Sequence, residues 1–252
     1  MYQRTATQLA RKPASKQGET EMNNSIQDLK QVEDYYGTTR RFGDSDATIY
    51  EIWEQGGAFN DSITPSTYSQ EYRSHLGLKL KSLTEEGAII FSIGCGNGFV
   101  EGDLVQAKRR VLAIDFNDEA VALSRKKGVD AYTADFFELE PGALAGVKSI
   151  YADGLLGHLF HPELELKPTF EKLKELNLES GTTLVFSNDS PRDPEALFAA
   201  HDKVDGFWFI SRDYLRDALT EAGFKIEESY YFPYTRPISG LRNRTLCVAL
   251  VP

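Results

Sequence analysis

Ala88-Ile89-Ile90-Phe91-Ser92-Ile93-Gly94-Cys95-Gly96-Asn97-Gly98 is the stretch that decides the fold of this chain. Ala88 to Ile93 is an apolar run too short for a helix, which predicts a strand buried on both faces. Three glycines then fall at alternate positions, where a tight turn lets a ligand approach the main chain closely. Position 99 is Phe, so the spacing is G-x-G-x-G and the dinucleotide pattern G-x-G-x-x-G is not met. A turn of this kind is also found at ordinary strand–helix junctions, so the rest of the chain has to be read around it.

Downstream, strands and helices alternate. Val111 to Ile114, Val129 to Tyr132, Val147 to Ala152 and Thr182 to Ser187 predict strands. Asn117 to Lys127, capped by Asn117, and Pro162 to about Leu176 predict helices between them. Repeated alternation implies a mostly parallel sheet covered on both faces. The pattern breaks at the end: helix Arg212 to Ala222 stops at Gly223, and Phe224–Phe232 and Arg244–Val251 predict an antiparallel hairpin. Upstream of the turn the period is helical. Ile26, Leu29, Val32 and Tyr36 form one helix, Asp46 to Glu54 a second, and a third opens at Thr64-Pro65 and runs to Leu83. The expected architecture is a doubly wound, mostly parallel α/β sheet with a C-terminal antiparallel hairpin and a helical N-terminal cap. Residues 1–24 read as a polar tail or tag, 25–84 as the cap or lid, and 85–252 as the sheet domain.

The chain has 252 residues with ordinary globular composition, 41% hydrophobic and 26% charged, enough to bury a core without disulfides or metal. Lys and Arg total 28 against 38 Asp and Glu, a net charge of −10, which argues against a nucleic-acid partner. Two cysteines, Cys95 and Cys247, make no disulfide framework and fit a reducing cytoplasm. No run approaches membrane-spanning length and no signal peptide is visible. His201 and Cys247 give no metal-ligand spacing, so no metal site is expected.

Carboxylates follow the second and third strands. Asp115 lies about twenty residues beyond the turn, where open α/β folds place an acid that accepts two hydrogen bonds from a ribose diol; capping of the next helix is the competing reading. Ala134-Asp135-Phe136-Phe137 offers an acid and an aromatic face suited to adenine. All of these positions are C-terminal strand ends, where such sheets bind ligands.

On these residues, together with Ala222-Gly223-Phe224 before the final strand pair, the chain from Ala88 onward resembles a class I S-adenosylmethionine-dependent methyltransferase. The resemblance implies S-adenosylmethionine as cofactor. Gly94 and Gly96 would cradle its methionine portion, Asp115 would hold its ribose, and Asp135 with Phe136 would meet its adenine, with Asn97 and Phe116 also at the cofactor. The family usually has Asp or Glu where this chain has Ser92, a departure at the methionine amino group. Residues before the first strand commonly reach the methionine carboxylate, and Tyr68, Tyr72 and Arg73 are candidates, with core packing as the other reading.

Strand four ends in Tyr151-Ala152-Asp153-Gly154-Leu155-Leu156-Gly157-His158, beside the expected sulfonium. It lacks the Asp/Asn-Pro-Pro-aromatic sequence of nucleic-acid amino methylases. His158 is a candidate general base, with Asp153 as fallback or as a ligand for the positive charge; a loop histidine bonding backbone is the plainer alternative. His161 reads as a capping residue. Trp53, Phe59, Phe160, Phe207, Trp208 and Tyr234 supply aromatic area for an acceptor. Arg236, Arg242 and Arg244 offer a clamp for a carboxylate or phosphate. The expected activity is methyl transfer to an oxygen or nitrogen of a small molecule. A peptide or protein methyltransferase and a non-catalytic cofactor-binding regulator are the alternatives.

Overall fold

A computed structural model describes residues 29–59, 62–204 and 206–252. The expected tail over residues 1–24, and the start of the first helix at Ser25 and Ile26, lie outside the described residues. Helix α1 spans Leu29–Gly37, followed by a short antiparallel pair, β1 (Arg40–Phe42) and β2 (Ser45–Ala47), and α2 (Ile49–Glu54). A 3-10 turn at Pro65–Thr67 leads to α3 (Gln70–Leu83). The alternating part contains β3 (Ile89–Ile93), α4 (Phe99–Gln106), β4 (Arg110–Asp115), α5 (Asp118–Lys126) and β5 (Asp130–Thr133). It continues with β6 (Val147–Asp153), α6 (Leu156–Leu159), α7 (Lys167–Glu175) and β7 (Thr183–Asp189). The last part is β8 (Phe198–Ala200), β9 (Trp208–Ile210), α8 (Arg212–Glu221), β10 (Lys225–Arg236) and β11 (Gly240–Leu250).

The central sheet has seven strands in the order β10-β11-β7-β6-β3-β4-β5. The five from β7 to β5 run parallel, and β11 and β10 are antiparallel at the far edge. The chain winds outward from β3 through β4 to β5, then returns to build β6 and β7 on the other side. The direction of winding therefore reverses between β3 and β6, which opens a crevice at their C-terminal ends.

Alternation along the strands divides two cores. Phe91, Leu112, Ile150, Leu184 and Phe186 face one side, with Phe170, Leu173 and Leu215 from the helices over them. Ile90, Val111, Ala113, Tyr151, Val185 and Leu246 face the other, against Leu104 of α4 and Tyr72, Leu76 and Leu80 of α3. The i, i+4 spacing of those α3 residues makes one apolar stripe, and all three are fully buried. Helix α3 is thus part of the sheet's own covering layer. A third cluster, Val32, Tyr36, Ile49, Tyr50, Trp53 and Ile63 with Ala120 of α5, fastens the N-terminal segment over the crevice.

Three expectations change. The N-terminal segment carries a β-hairpin in addition to helices, so Asp46 pairs in a strand and α2 begins only after Thr48. There, the Thr48 and Glu51 side chains cap each other's backbone. The helix expected from Thr64 is a 3-10 turn followed by a restart at Ser69, whose hydroxyl accepts from the Tyr72 N–H. The helix expected from Pro162 starts at Lys167, because His161 and Glu165 close a turn first.

Candidate functional site

The C-terminal ends of β3, β4, β5 and β6 and the N-terminal segment enclose one large cavity. Its floor is the glycine turn. Gly94 and Cys95 donate their N–H groups to the Ile114 carbonyl, which docks the turn on β4. Gly98 has φ +69, and a Cβ there would lie 2.3 Å from Ser124 Oγ, so this glycine is needed for α4 to pack on α5. Gly96, φ +51, meets nothing within 4 Å and opens onto the cavity.

Asp115 ends β4 and is almost wholly buried. Its Oδ2 accepts from the Gly96 N–H at 2.9 Å and its Oδ1 from the Asn117 N–H at 3.0 Å. Burial pushes its pKa up to about 6 against these hydrogen bonds. Each carboxylate oxygen keeps acceptor capacity for a further donor. The helix cap itself is Asn117, whose side chain accepts from Glu119 and Ala120 N–H. Asp115 is therefore left facing the cavity, with the turn's backbone as its anchor. Phe116 and Phe136 line the same wall, and Asp135 holds the Phe136–Glu138 turn by accepting from the Phe137 N–H at 2.9 Å. Asn97 binds the N-terminal segment to the turn, donating to the Tyr50 carbonyl at 3.0 Å and Glu54 Oε1 at 2.6 Å. Its buried Oδ1 has no partner. An open glycine, an unfilled acceptor and a buried carboxylate with spare lone pairs fit a nucleoside carrying a diol.

Tyr68 and Arg73, expected at the cofactor, stand off the cavity wall. Tyr68 donates to the Thr235 carbonyl at 3.1 Å. Arg73 reaches the Ser66 and Thr67 carbonyls at 3.2 and 3.4 Å and pairs with Asp103 at 3.4 Å. It holds a turn whose Ser66 and Thr67 do line the cavity, so its influence there is indirect.

Beyond the end of β6 lies a buried ionic network. Arg244 pairs through one terminal nitrogen with Asp153 Oδ1 at 2.5 Å and through the other with Asp189 Oδ1 at 3.0 Å. Its Nε donates to Ser187 Oγ at 2.9 Å. Asp153 also accepts from the Tyr72 hydroxyl at 2.8 Å. Asp189 is bound by Arg236 and by the Tyr234 hydroxyl. Burial would raise the Asp189 pKa, but Arg236 and Arg244 outweigh it and hold it down at about 2. Two guanidinium groups against two carboxylates leave no net charge, so the expected anion clamp is occupied by the protein's own acids. Arg242 does not line the cavity; it donates to the Ser190 carbonyl and lies over Phe209.

The remaining wall is aromatic. Tyr36 stacks on Tyr50 at 5.2 Å and meets Trp53 edge-on at 5.6 Å. His158 sits between Tyr36 and Phe207, with centroids at 5.4 and 4.8 Å, and its Nε2 shares a 2.8 Å hydrogen bond with the Tyr36 hydroxyl. Burial drives the His158 pKa down to about 4, against a backbone hydrogen bond at Gly206. Of the other aromatic candidates, Phe160 and Trp208 pack together in the core, Phe59 lies under Arg40, and Tyr234 serves Asp189. His161 caps a turn, accepting from Glu163 and Leu164 N–H.

Sequence reading missed Tyr36 and Tyr50 as wall residues, since helical spacing marks them only as apolar. It also missed Glu101, a buried carboxylate on the cavity wall. The one signal for Glu101 is an acid among Val100, Gly102 and Leu104, all of them buried. Among the described residues no three His, Cys, Asp or Glu side chains form a metal-binding group.

No family model matches the chain. Solved structures do. A Methanosarcina mazei protein described as a S-adenosylmethionine-dependent methyltransferase superposes with TM-score 0.56 at 15% identity, over 68% of this chain and 96% of that one. The 1,6-didemethyltoxoflavin-N1-methyltransferase of Burkholderia thailandensis, with 1,6-didemethyltoxoflavin and S-adenosylhomocysteine bound, gives 0.54 at 18%, over 84% and 98%. The magnesium protoporphyrin IX methyltransferase of Synechocystis PCC 6803, with the cofactor bound, gives 0.51 at 16%, over 89% and 91%. The fold of this chain is that of the class I S-adenosylmethionine-dependent methyltransferases. Among the described residues no helix is long and apolar enough to cross a membrane.

Proposed function

We propose that the protein is a S-adenosylmethionine-dependent methyltransferase acting on a nitrogen or oxygen of a small planar acceptor. The observation that carries this reading is the continuity of one cavity, with the Gly96–Asp115–Phe136 wall on one side and the Tyr36–Trp53–His158–Phe207 wall on the other. S-adenosylmethionine supplies an electrophilic methyl group on a sulfonium sulfur. Gly96 and Asn97 give backbone-close room to the methionine portion, Asp115 accepts from the ribose hydroxyls, and Asp135 with Phe136 borders the adenine. The aromatic wall would hold a flat acceptor beside the methyl group, and positioning would supply most of the acceleration.

Neither candidate base is a strong proton acceptor. Asp153 is engaged by Arg244, Tyr72 and Ser187, and His158 titrates far below neutrality with Nε2 bonded to Tyr36. That favours an acceptor whose lone pair is already free at neutral pH, such as an aromatic amine or ring nitrogen, with any proton leaving to water. Asp153, matched by Arg244, then serves to fix the polar end of the cavity, and His158 with Tyr36 would form a polar edge that orients the acceptor. The aromatic wall favours a small molecule over a peptide, for which an open, acidic mouth was the expected feature. The test is transfer of labelled methyl from S-adenosylmethionine into a metabolite extract and a panel of aromatic amines and phenols. Label in a small-molecule product supports the reading; label only in protein, or in nothing, overturns it.

A further inference from the structure

The cavity wall holds five carboxylates: Glu101, Asp115, Asp135, Asp153 and Asp189. Four are accounted for. Asp153 and Asp189 are matched by Arg236 and Arg244. Asp115 is held by two backbone N–H groups, and Asp135 is partly exposed and caps its own turn. Glu101 is different. It is 4% exposed, and among the described residues no cationic side chain pairs with it. Its side-chain partner is the Ser92 hydroxyl, which donates to Oε1 at 2.6 Å. Burial drives its pKa up to about 7, with the Ser92 hydrogen bond pulling the other way. A carboxylate buried in this state is costly unless a cation arrives to meet it.

Position says which cation. Ser92 lies in the middle of the sheet, paired with Ala113 of β4 and Tyr151 of β6, two residues before Gly94 of the glycine turn. Glu101 comes from the first turn of α4, nine residues on, and brings its carboxylate to the Ser92 hydroxyl. We infer that Glu101 receives the α-ammonium of the cofactor's methionine portion, so that a helix residue takes over the acidic role missing from the strand at Ser92. This rests on the proposed cofactor reading. Ser92 is then a positioning residue, whose hydroxyl fixes one carboxylate oxygen and leaves the other for the ammonium.

The test compares two ligands in two proteins by calorimetry. S-adenosylhomocysteine carries the amino-acid end; 5′-methylthioadenosine keeps the adenine, ribose and sulfur but lacks it. Glu101→Gln preserves shape and can still accept from Ser92, so folding should be retained. We expect it to weaken S-adenosylhomocysteine roughly ten- to hundredfold, the range for a charge-assisted hydrogen bond, and 5′-methylthioadenosine less than about threefold. The double variant Ser92→Asp/Glu101→Gln returns the carboxylate to the strand and should recover most of the lost affinity. Equal weakening of both ligands, or no weakening of either, overturns the assignment. Failure of the wild-type protein to bind either ligand would instead overturn the cofactor reading itself.

Discussion

At the scale of single residues, burial makes the cavity acids sensitive to pH. A diol or ammonium binds the ionised carboxylate, so it should pull the Asp115 pKa below its unliganded value of about 6. Affinity for S-adenosylhomocysteine should then fall as pH drops, first through 7 as Glu101 takes up a proton and then more steeply through 6 as Asp115 does, each group adding up to about tenfold per unit. Asp115→Asn should bind more weakly and lose the steeper part near pH 6 while keeping the part near 7; calorimetry from pH 5 to 8 reads both. His158 leads to the opposite expectation. With its pKa near 4 and its Nε2 on Tyr36, it is neutral throughout the working range and serves poorly as a base. We expect His158→Gln to lower turnover by less than about tenfold and to leave the pH–rate profile above pH 5 unchanged, whereas a general base would be worth a hundredfold or more. A variant that loses an alkaline-rising limb would restore His158 as the base.

At the scale of elements, α3 belongs to the covering layer of the sheet, because Tyr72, Leu76 and Leu80 enter the same core as β3 and α4. Leu76 is fully buried, so Leu76→Ala should destabilise by about 3 kcal/mol, the usual size of a core cavity. Urea unfolding should show this with little change in ligand affinity at temperatures where the variant is folded. Loss of less than 1 kcal/mol would mean that α3 is a loosely held lid. The alternating half of the chain was legible because each strand there is a continuous apolar run between turn residues. The glycine turn, Asp115 and Asp135 were legible because they stand at fixed offsets from those runs. What escaped was short or non-periodic. The β1–β2 and β8–β9 pairs have three residues per strand, too few to establish a period of two. The clamp reading of Arg236 and Arg244 failed because their partners, Asp153 and Asp189, lie on strands 47 to 91 residues away. Tyr68 and Arg73 were candidates because the family resemblance lets residues before the first strand reach the methionine carboxylate. Tyr68 instead bonds the Thr235 carbonyl and Arg73 the Ser66 and Thr67 carbonyls, and neither lines the cavity.

At the scale of the molecule, burying Glu101 without a cationic partner among the described residues costs stability that the inferred ammonium would relieve. Glu101 has a folded pKa of about 7, above its ordinary value of 4.5. Below pH 4.5 it is protonated in both states; as pH rises toward 7 the unfolded chain ionises first and the native state loses stability. Glu101→Gln removes that penalty. We expect the variant to match the wild type near pH 4.5 and to have a higher Tm at pH 8 without ligand, while binding S-adenosylhomocysteine less well. A Tm that is lower at pH 8 would show that the charged carboxylate stabilises the empty protein. Asp189, held at about 2 by Arg236 and Arg244, works in the other sense: its contribution is present above pH 4 and lost toward pH 2. The same fold thus carries Asp153 and Asp189, matched by Arg236 and Arg244, and Glu101, which no cationic side chain among the described residues meets.

The central claim, that this cavity is a nucleoside-sulfonium site built around Asp115, is tested most directly by titrating S-adenosylhomocysteine into the full chain at pH 7.5, beside Asp115→Ala. Saturable binding at one site per chain is expected, with a Kd on the order of micromolar for a ligand of this size in a concave pocket. The folded variant should bind about ten- to hundredfold more weakly. A folded wild-type protein that shows no saturable binding at millimolar ligand, or a variant that binds as tightly as the wild type, would contradict it.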